Sequence, residues 1–390
     1  MGFNLYLPTR VLLGAGSLNK LHTQKMPGKK AMIVISKGKS TRDNGYLGRL
    51  EKELEAADVE FALFDKIQAN PLKSTVMEGV SFFRSHGCDF IVALGGGSVM
   101  DASKAIAMMA ENEGDLWDYV YGGSGEGKPL QNTPAPLIAI TTTAGTGSEV
   151  DQYGVITHGE NNEKIGVGGM DELFPKLAIV DPELMISVPP EQTAYQGFDA
   201  LFHSVEGYIS KYANLMSDMY AITAIENIAA NLARAVKDGT DVEAREKVAF
   251  GSTLAGMVMV AGSVTSQHSL EHAMSAYHHH LPHGAGLIML SKAFFTYFIE
   301  KKACDDRFVK MAKAMGVLDA SQPEDFILAL ENLKEDCGVA NLKMSDYGIV
   351  PDEFPTLANN AKETMGALFK CDRIKLGAED CVAILEKAYQ

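Results

Sequence analysis

The run Phe90-Ile91-Val92-Ala93-Leu94 offers no polar residue on either face. A strand that is apolar on both faces has to be covered from both sides, which is the condition of a parallel sheet lying between layers of helices. The same texture recurs at residues 31–35, 59–64, 136–140 and 177–180, alternating with amphipathic helical patterns at 47–57, 74–86 and 99–110. That alternation predicts a doubly wound α/β domain. After Asp181-Pro182 the β-branched runs stop, and apolar residues spaced by three and four run through 217–237, 242–261, 284–300, 323–335 and 378–389. The second half is therefore expected to be all-helical. The composition change and the prolines at 182, 189 and 190 place the boundary between domains 1–185 and 186–390.

The apolar run at 90–94 leads straight into Gly95-Gly96-Gly97-Ser98 and then a helical pattern. A strand, a glycine turn and a helix N-terminus together present free backbone N–H groups to an anion, and glycine lets a pyrophosphate approach the backbone. Ser98 is expected to cap that helix and donate to phosphate. A second small-residue turn, Thr142-Thr143-Ala144-Gly145-Thr146-Gly147-Ser148, follows the run at 136–140. Open α/β sheets bind ligands at strand C-termini, so both turns are expected to line one crevice. A structural strand-to-helix turn would give the same GGGS pattern. Gly14-Ala15-Gly16 lacks the surrounding unit of a dinucleotide fingerprint and reads as a hairpin or turn.

Of ten histidines, six fall between His268 and His283. His268 and His272 are four apart, as are Asp199 and His203, and residues at that spacing share one helix face. His283 follows in Pro282-His283-Gly284. Imidazoles with one carboxylate suit a borderline divalent ion, Fe(II) or Zn(II). A competing pattern overlaps the first. His268-Ser269-Leu270-Glu271-His272 matches HxxEH, in which two histidines hold zinc and the glutamate is the base of a hydrolase. That reading leaves the glycine turn and the parallel sheet unexplained. A third, a metal or nucleotide binder without catalysis, excludes turnover altogether. His278, His279 and His280 are expected at a solvated helix end.

Lys and Arg number 35 against 50 Asp and Glu, a net charge of −15, which argues against a nucleic-acid backbone as partner. A basic n-region followed by an apolar core is not visible at the N-terminus, and the apolar stretch 251–264 is too short for a membrane span. Five scattered cysteines without a CxxC pair fit a reduced, cytoplasmic chain.

GGGSxxD at Gly95 to Asp101, TTAGTGSE at Thr142 to Glu149, GxDAxxH at Gly197 to His203, and HxxxH with PHG at His268 to Gly284 resemble the iron-containing (group III) alcohol dehydrogenase family. The resemblance spans essentially the whole chain and includes the butanol, 1,3-propanediol and lactaldehyde dehydrogenase types. It implies a Rossmann-like dinucleotide-binding domain followed by a helical, dehydroquinate synthase-like domain, usually in a homodimer or larger assembly. It further implies Asp199, His203, His268 and His283 as metal ligands, with His272 beside nicotinamide and substrate as the proton-handling group. Gly96, Gly97 and Ser98 would hold the pyrophosphate. Asp101, Thr142, Thr143, Thr146 and Asp151 would line the cofactor crevice, with Asn70 and Lys164 nearby. Two departures stand out: Glu271 is not general in the family, and its charge is expected to fall on His272; and Cys371 is followed by Asp372-Arg373-Ile374-Lys375 where many members carry Asn-Pro-Arg after a Cys, at the expected substrate-pocket edge.

Cofactor choice can be read from charge. A carboxylate ending the first strand would bind the ribose of NAD and repel a 2′-phosphate. Here that strand is followed by Lys37, Lys39, Ser40 and Arg42, with no acid before Asp43. These residues, Ser40 included, suit NADP, with NAD as the second choice. The expected reaction is reversible hydride transfer between NAD(P)H and a short-chain aldehyde or primary alcohol, with the metal as Lewis acid.

Overall fold

The computed structural model describes residues 2–389, which form two compact units. One comprises residues 6–143 and 147–187, the other residues 2–5, 144–146 and 188–389.

The first unit holds a six-stranded parallel sheet built from β1 (Arg10–Leu13), β2 (Lys30–Ser36), β3 (Glu60–Ile67), β4 (Phe90–Gly95), β5 (Leu137–Thr141) and β8 (Leu177–Val180). The strand order is β1-β8-β5-β4-β2-β3. Helices α1 (Ser40–Asp43), α2 (Tyr46–Ala56), α3 (Lys73–Ser85) and α4 (Gly97–Ala110) connect these strands, and β6 (Tyr153–His158) and β7 (Glu163–Gly168) form a separate antiparallel hairpin. The period-two alternation of side chains splits the sheet's apolar residues between its faces. Ala31, Ile33, Ile35, Val92, Leu94, Ile138, Ile140 and Ile179 join Leu47, Leu50 and Leu54 of α2 in one buried cluster.

From β2 the chain goes outward to β3; from β4 it goes the other way, to β5. Neighbours β2 and β4 thus form the topological switch point, and their C-terminal ends flank the crevice in which such sheets take ligands. Sequence reading missed β1 and the β6–β7 hairpin. Gly14 and Gly16, both at positive φ, turn the chain from edge strand β1 into a 3-10 helix at Ser17–Thr23. They make a turn, not a hairpin.

The second unit is helical as expected. It consists of α5 (Pro190–Ile209), α6 (Leu215–Lys237), α7 (Val242–Gly262), α8 (Ser266–Tyr277), α9 (His283–Glu300), α10 (Asp305–Ala314), α11 (Glu324–Asp336), α12 (Phe354–Thr364), α13 (Gly366–Phe369) and α14 (Ala378–Ala388). Phe198, Phe202, Phe294, Phe295, Phe298, Phe308 and Phe326 are fully buried in its core. No single helix among the described residues is long and apolar enough to cross a membrane; α7 and α8 reach that composition only as a pair bent by 110°. Ser263 at φ 67 marks the bend. All five cysteines are free and buried.

Candidate functional site

Helix α5 is buried along nearly its whole length, so its polar residues Asp199 and His203, one turn apart, cannot reach solvent. Helix α8 is buried from Ser266 to Ala276 and brings His268 against them, and His283 begins α9. One atom organises the group. Asp199 Oδ1 lies 3.5 Å from His203 Nδ1, 3.5 Å from His268 Nε2 and 3.5 Å from His283 Nε2. Among the described residues, Asp199 Oδ1, His203 Nδ1 and His268 Nε2 find no hydrogen-bond partner, although an unpaired buried polar atom costs about 1–3 kcal/mol. The spacing fits an ion. Ligands about 2.0–2.2 Å from a tetrahedral centre are roughly 3.3–3.6 Å apart, and the donor set is the one zinc and iron accept.

Asp199, His268 and His283 are placed to hold an ion together, and Glu271, His272 and His283 form a second such group. His203 joins the first through Nδ1, stacks on His268 at 4.3 Å between ring centroids and bonds the carbonyl of Gly145. Burial pushes His203 down to about 3, so its ring is neutral, as a lone-pair donor must be. Burial opposes charge on Asp199 too, but the imidazoles outweigh it and hold the carboxylate well below its usual range.

Two further carboxylates adjoin the site, of which Glu206 was not foreseen and Glu271 was expected only as the base of the HxxEH alternative and as a charge on His272. Glu206, fully buried on α5, accepts from His268 Nδ1 and, through its other oxygen, from the Thr265 N–H at 2.9 Å and hydroxyl at 2.7 Å. Glu271, equally buried, accepts from His283 Nδ1. Burial alone would lower both imidazoles, yet Glu206 and Asp199 raise His268 to about 10, and Glu271 and Asp199 raise His283. A sequence signal for Glu206 existed: it lies seven residues beyond Asp199, hence on the same face of an apolar helix.

The Glu271 carboxylate accepts from His283 Nδ1, and ligand atoms of Glu271, His272 and His283 lie within 4.8 Å of one another, so its charge faces both imidazoles. The HxxEH hydrolase pattern gains no support, because His268 groups with Asp199 and His283, and His272 groups with Glu271 and His283, without the two falling in one candidate ion site. His272 is buried, 5.1 Å from the His283 ring. His279 and His280 are exposed just after α8, and His278 pairs with Glu353 at 3.1 Å.

Residues 371–373 prove to be a clip on α5 and α8. Arg373 donates to the carbonyls of Ile209 and Ser210 at 2.8 and 2.9 Å, closing the end of α5. Asp372 accepts from the Ser266 N–H at 3.2 Å, at the start of α8. Burial pushes Asp372 up to about 7, and the charge of Glu206 adds to the rise.

In the sheet unit, β4 passes through Gly96 into α4. The N–H groups of Val99 and Met100 bond the Gly96 carbonyl at 3.0 and 3.2 Å, which leaves those of Gly97 and Ser98 at the open helix end. The cap is Gly96, so Ser98 is in the first turn and does not cap. A Cβ on Gly96 would come within 2.8 Å of Thr143 Cγ2, so the β5 loop rests directly on the turn. The Thr142 N–H bonds the Gly95 carbonyl at 3.0 Å. Thr146, four residues on, belongs to the helical unit. Asn70 precedes α3 at φ 50, and Lys164 is buried in β7.

Two expected cofactor residues accept hydrogen bonds from the protein itself. Asp101 accepts from Ser148 Oγ at 2.9 Å and the Val155 N–H at 3.0 Å, while Asp151 accepts from Lys104 Nζ and the Tyr153 N–H, both at 2.7 Å. Lys104, on the buried side of α4, was not foreseen. These groups tie the 148–155 segment to α4. At the end of β2, Arg42 pairs with Asp65 of the neighbouring strand, an acid that sequence distance concealed. Lys37, Lys39 and Ser40 are exposed.

Two family models match the chain: "Iron-containing alcohol dehydrogenase" over residues 8–182 and "Fe-containing alcohol dehydrogenase family, C-terminal" over residues 193–389. The chain is 35% identical to the 1,3-propanediol dehydrogenase of Klebsiella pneumoniae, with 99% of each chain covered. It is 34% identical to the NAD-dependent methanol dehydrogenase of Bacillus methanolicus, covering 92% of this chain and 93% of that one. Among solved structures, an archaeal halo-thermophilic alcohol dehydrogenase from a Red Sea brine pool superposes with a TM-score of 0.92 at 34% identity, covering 100% of this chain and 99% of that one.

Proposed function

The chain belongs to the iron-containing alcohol dehydrogenase family, and from that premise we propose how its residues divide the work of an alcohol and aldehyde oxidoreductase. The substrate is a short-chain primary alcohol or its aldehyde, and the redox partner is NADP in preference to NAD. Asp199, His203, His268 and His283 hold a divalent ion, Fe(II) first and Zn(II) as the alternative. The observation that carries this reading is the convergence of three imidazole nitrogens on one buried carboxylate oxygen at 3.5 Å each. When bound, such an ion supplies Lewis acidity toward the substrate oxygen.

The chain's own residues do the remainder. Asp199 brings negative charge to a site from which water is largely excluded. Glu206 and Glu271 keep Nδ1 of His268 and His283 occupied, so that Nε2 of each is the donor. His272, buried next to His283, relays the hydroxyl proton between substrate and solvent as alcohol becomes aldehyde, a general acid–base role. Gly96, Gly97 and Ser98 receive the pyrophosphate at the N-terminus of α4, with Thr142 and Thr143 against them. Asn70, Thr146 and Lys164 complete the proposed cofactor contacts.

The preference for NADP rests on Lys37, Lys39 and Ser40, which follow β2 at the switch point with no carboxylate ahead of them. The double substitution Lys37→Glu with Lys39→Glu is expected to lower kcat/KM for NADPH about 10- to 100-fold and to leave NADH within about threefold, since only the 2′-phosphate differs. Steady-state kinetics with both cofactors check this; equal losses for the two would remove the argument. The activity itself is tested on anaerobically purified protein by NADPH oxidation across short aldehydes, diol-derived aldehydes and ketones, with metal analysis alongside. Consumption of NADPH by none of them would refute the proposed substrate class.

A further inference from the structure

Of the groups that distinguish this chain's HxxEH run, the Glu271 carboxylate is the one that the dehydrogenase chemistry leaves without a step. It is fully buried on α8 and accepts from Nδ1 of His283. Helix α9 is shaped around it. A Cβ on Gly286 would meet Glu271 Cγ at 2.7 Å and Oε1 at 3.0 Å, so the absence of a side chain there is what admits the glutamate. The arrangement repeats that of Glu206 with His268: each imidazole has Nδ1 on a buried carboxylate and Nε2 3.5 Å from Asp199 Oδ1.

His283 needs such a partner more than the other three residues do. Its side chain keeps 24% of its exposure, against 7% or less for Asp199, His203 and His268. It also opens α9, and the positive end of a helix dipole disfavours a cation beside it. A carboxylate on Nδ1 fixes the tautomer and the ring's heading, makes Nε2 more basic and offsets that dipole.

We propose that Glu271 is a positioning residue that holds His283 in its ligating tautomer and heading and thereby governs how tightly the site retains its metal. The proposal rests on the metal-site reading above, and its test separates the two. Metal-free protein is titrated with Co(II) and Zn(II) against a competing chelator, and the visible spectrum of the Co(II) form is recorded. Glu271→Gln keeps the side-chain volume but not the charge; it is expected to weaken both ions about 10- to 100-fold and to change the Co(II) bands. Glu271→Asp should recover part of the affinity, because it restores the charge. Gly286→Ala, which displaces the carboxylate without removing it, should weaken binding in the same direction.

Affinity within threefold of the parent for both Glu271→Gln and Gly286→Ala, with unchanged Co(II) bands, would overturn the proposal. Failure of the underlying reading looks different: the parent would bind no ion, or Asp199→Ala would bind as well as the parent.

Discussion

His268→Ala is expected to emerge from anaerobic purification without its metal and to oxidise NADPH with aldehyde at least about 10³-fold more slowly than the parent. That factor corresponds to about 4 kcal/mol of barrier, within the several kcal/mol that a Lewis acid contributes. The size follows from two losses at one position. The substitution deletes Nε2, one of the three nitrogens set 3.5 Å from Asp199 Oδ1, and it removes the only imidazole bonded to Glu206. Glu206 would then be a fully buried carboxylate held only by Thr265, with a second negative charge, Asp199, close by. Metal content and steady-state turnover check this together. His272→Ala is the control: it should keep the metal and lose about 10²-fold in turnover, since proton relay is worth about 10²–10⁴. Stoichiometric metal in His268→Ala with turnover near the parent's would sink the ligand assignment.

Most of the sheet was legible because burial on both faces leaves a mark in composition: β2, β4, β5 and β8 are runs with almost no polar residue. Strand β1 and the β6–β7 hairpin leave a weaker one. β1 is a four-residue edge strand with Arg10 exposed, and four of the six residues of β7 are glycine or charged. The site divides along similar lines. Asp199 with His203, and His268 with His272, were visible as helical spacings, which are local.

Partners that meet only through the fold were not visible. Glu271 sits in the run that also matches a zinc-hydrolase pattern, yet it holds His283, 12 residues on, in the next helix. Arg42 and Asp65 are 23 residues apart in the chain and become neighbours because β2 pairs with β3. The clip at residues 371–373 reaches helices more than a hundred residues upstream. Spacing along a chain reports one element at a time; ion pairs between elements depend on topology.

Lys104→Met is expected to destabilise the protein by about 3–5 kcal/mol, the usual cost of removing one partner of a buried ion pair. Thermal unfolding should fall by roughly 10 °C near pH 8, at about 2–4 °C per kcal/mol for a unit of this size. The ammonium of Lys104 has three donors and three acceptors, all at 2.7 Å: Ser148 Oγ, Asp151 Oδ1 and the Tyr153 carbonyl. Without it, Asp101 and Asp151 are two carboxylates facing low dielectric with no cation between them. The pH dependence gives the sharper test. Burial raises both groups, Asp101 to about 6, even with Lys104 present. A carboxyl raised on folding stabilises below its unfolded value and loses that contribution as pH rises through the folded one. Losing the cation moves both groups further up, so the deficit of the variant should be small near pH 4 and should widen through pH 6 to 8. Melts across that range check it, and a deficit independent of pH would contradict the buried-pair account. The consequence reaches function, because α4 begins with the glycine turn and Lys104 ties that helix to residues 148–153. Loosening this tie should raise KM for the nicotinamide cofactor while the metal affinity, set in the helical unit, stays as it was.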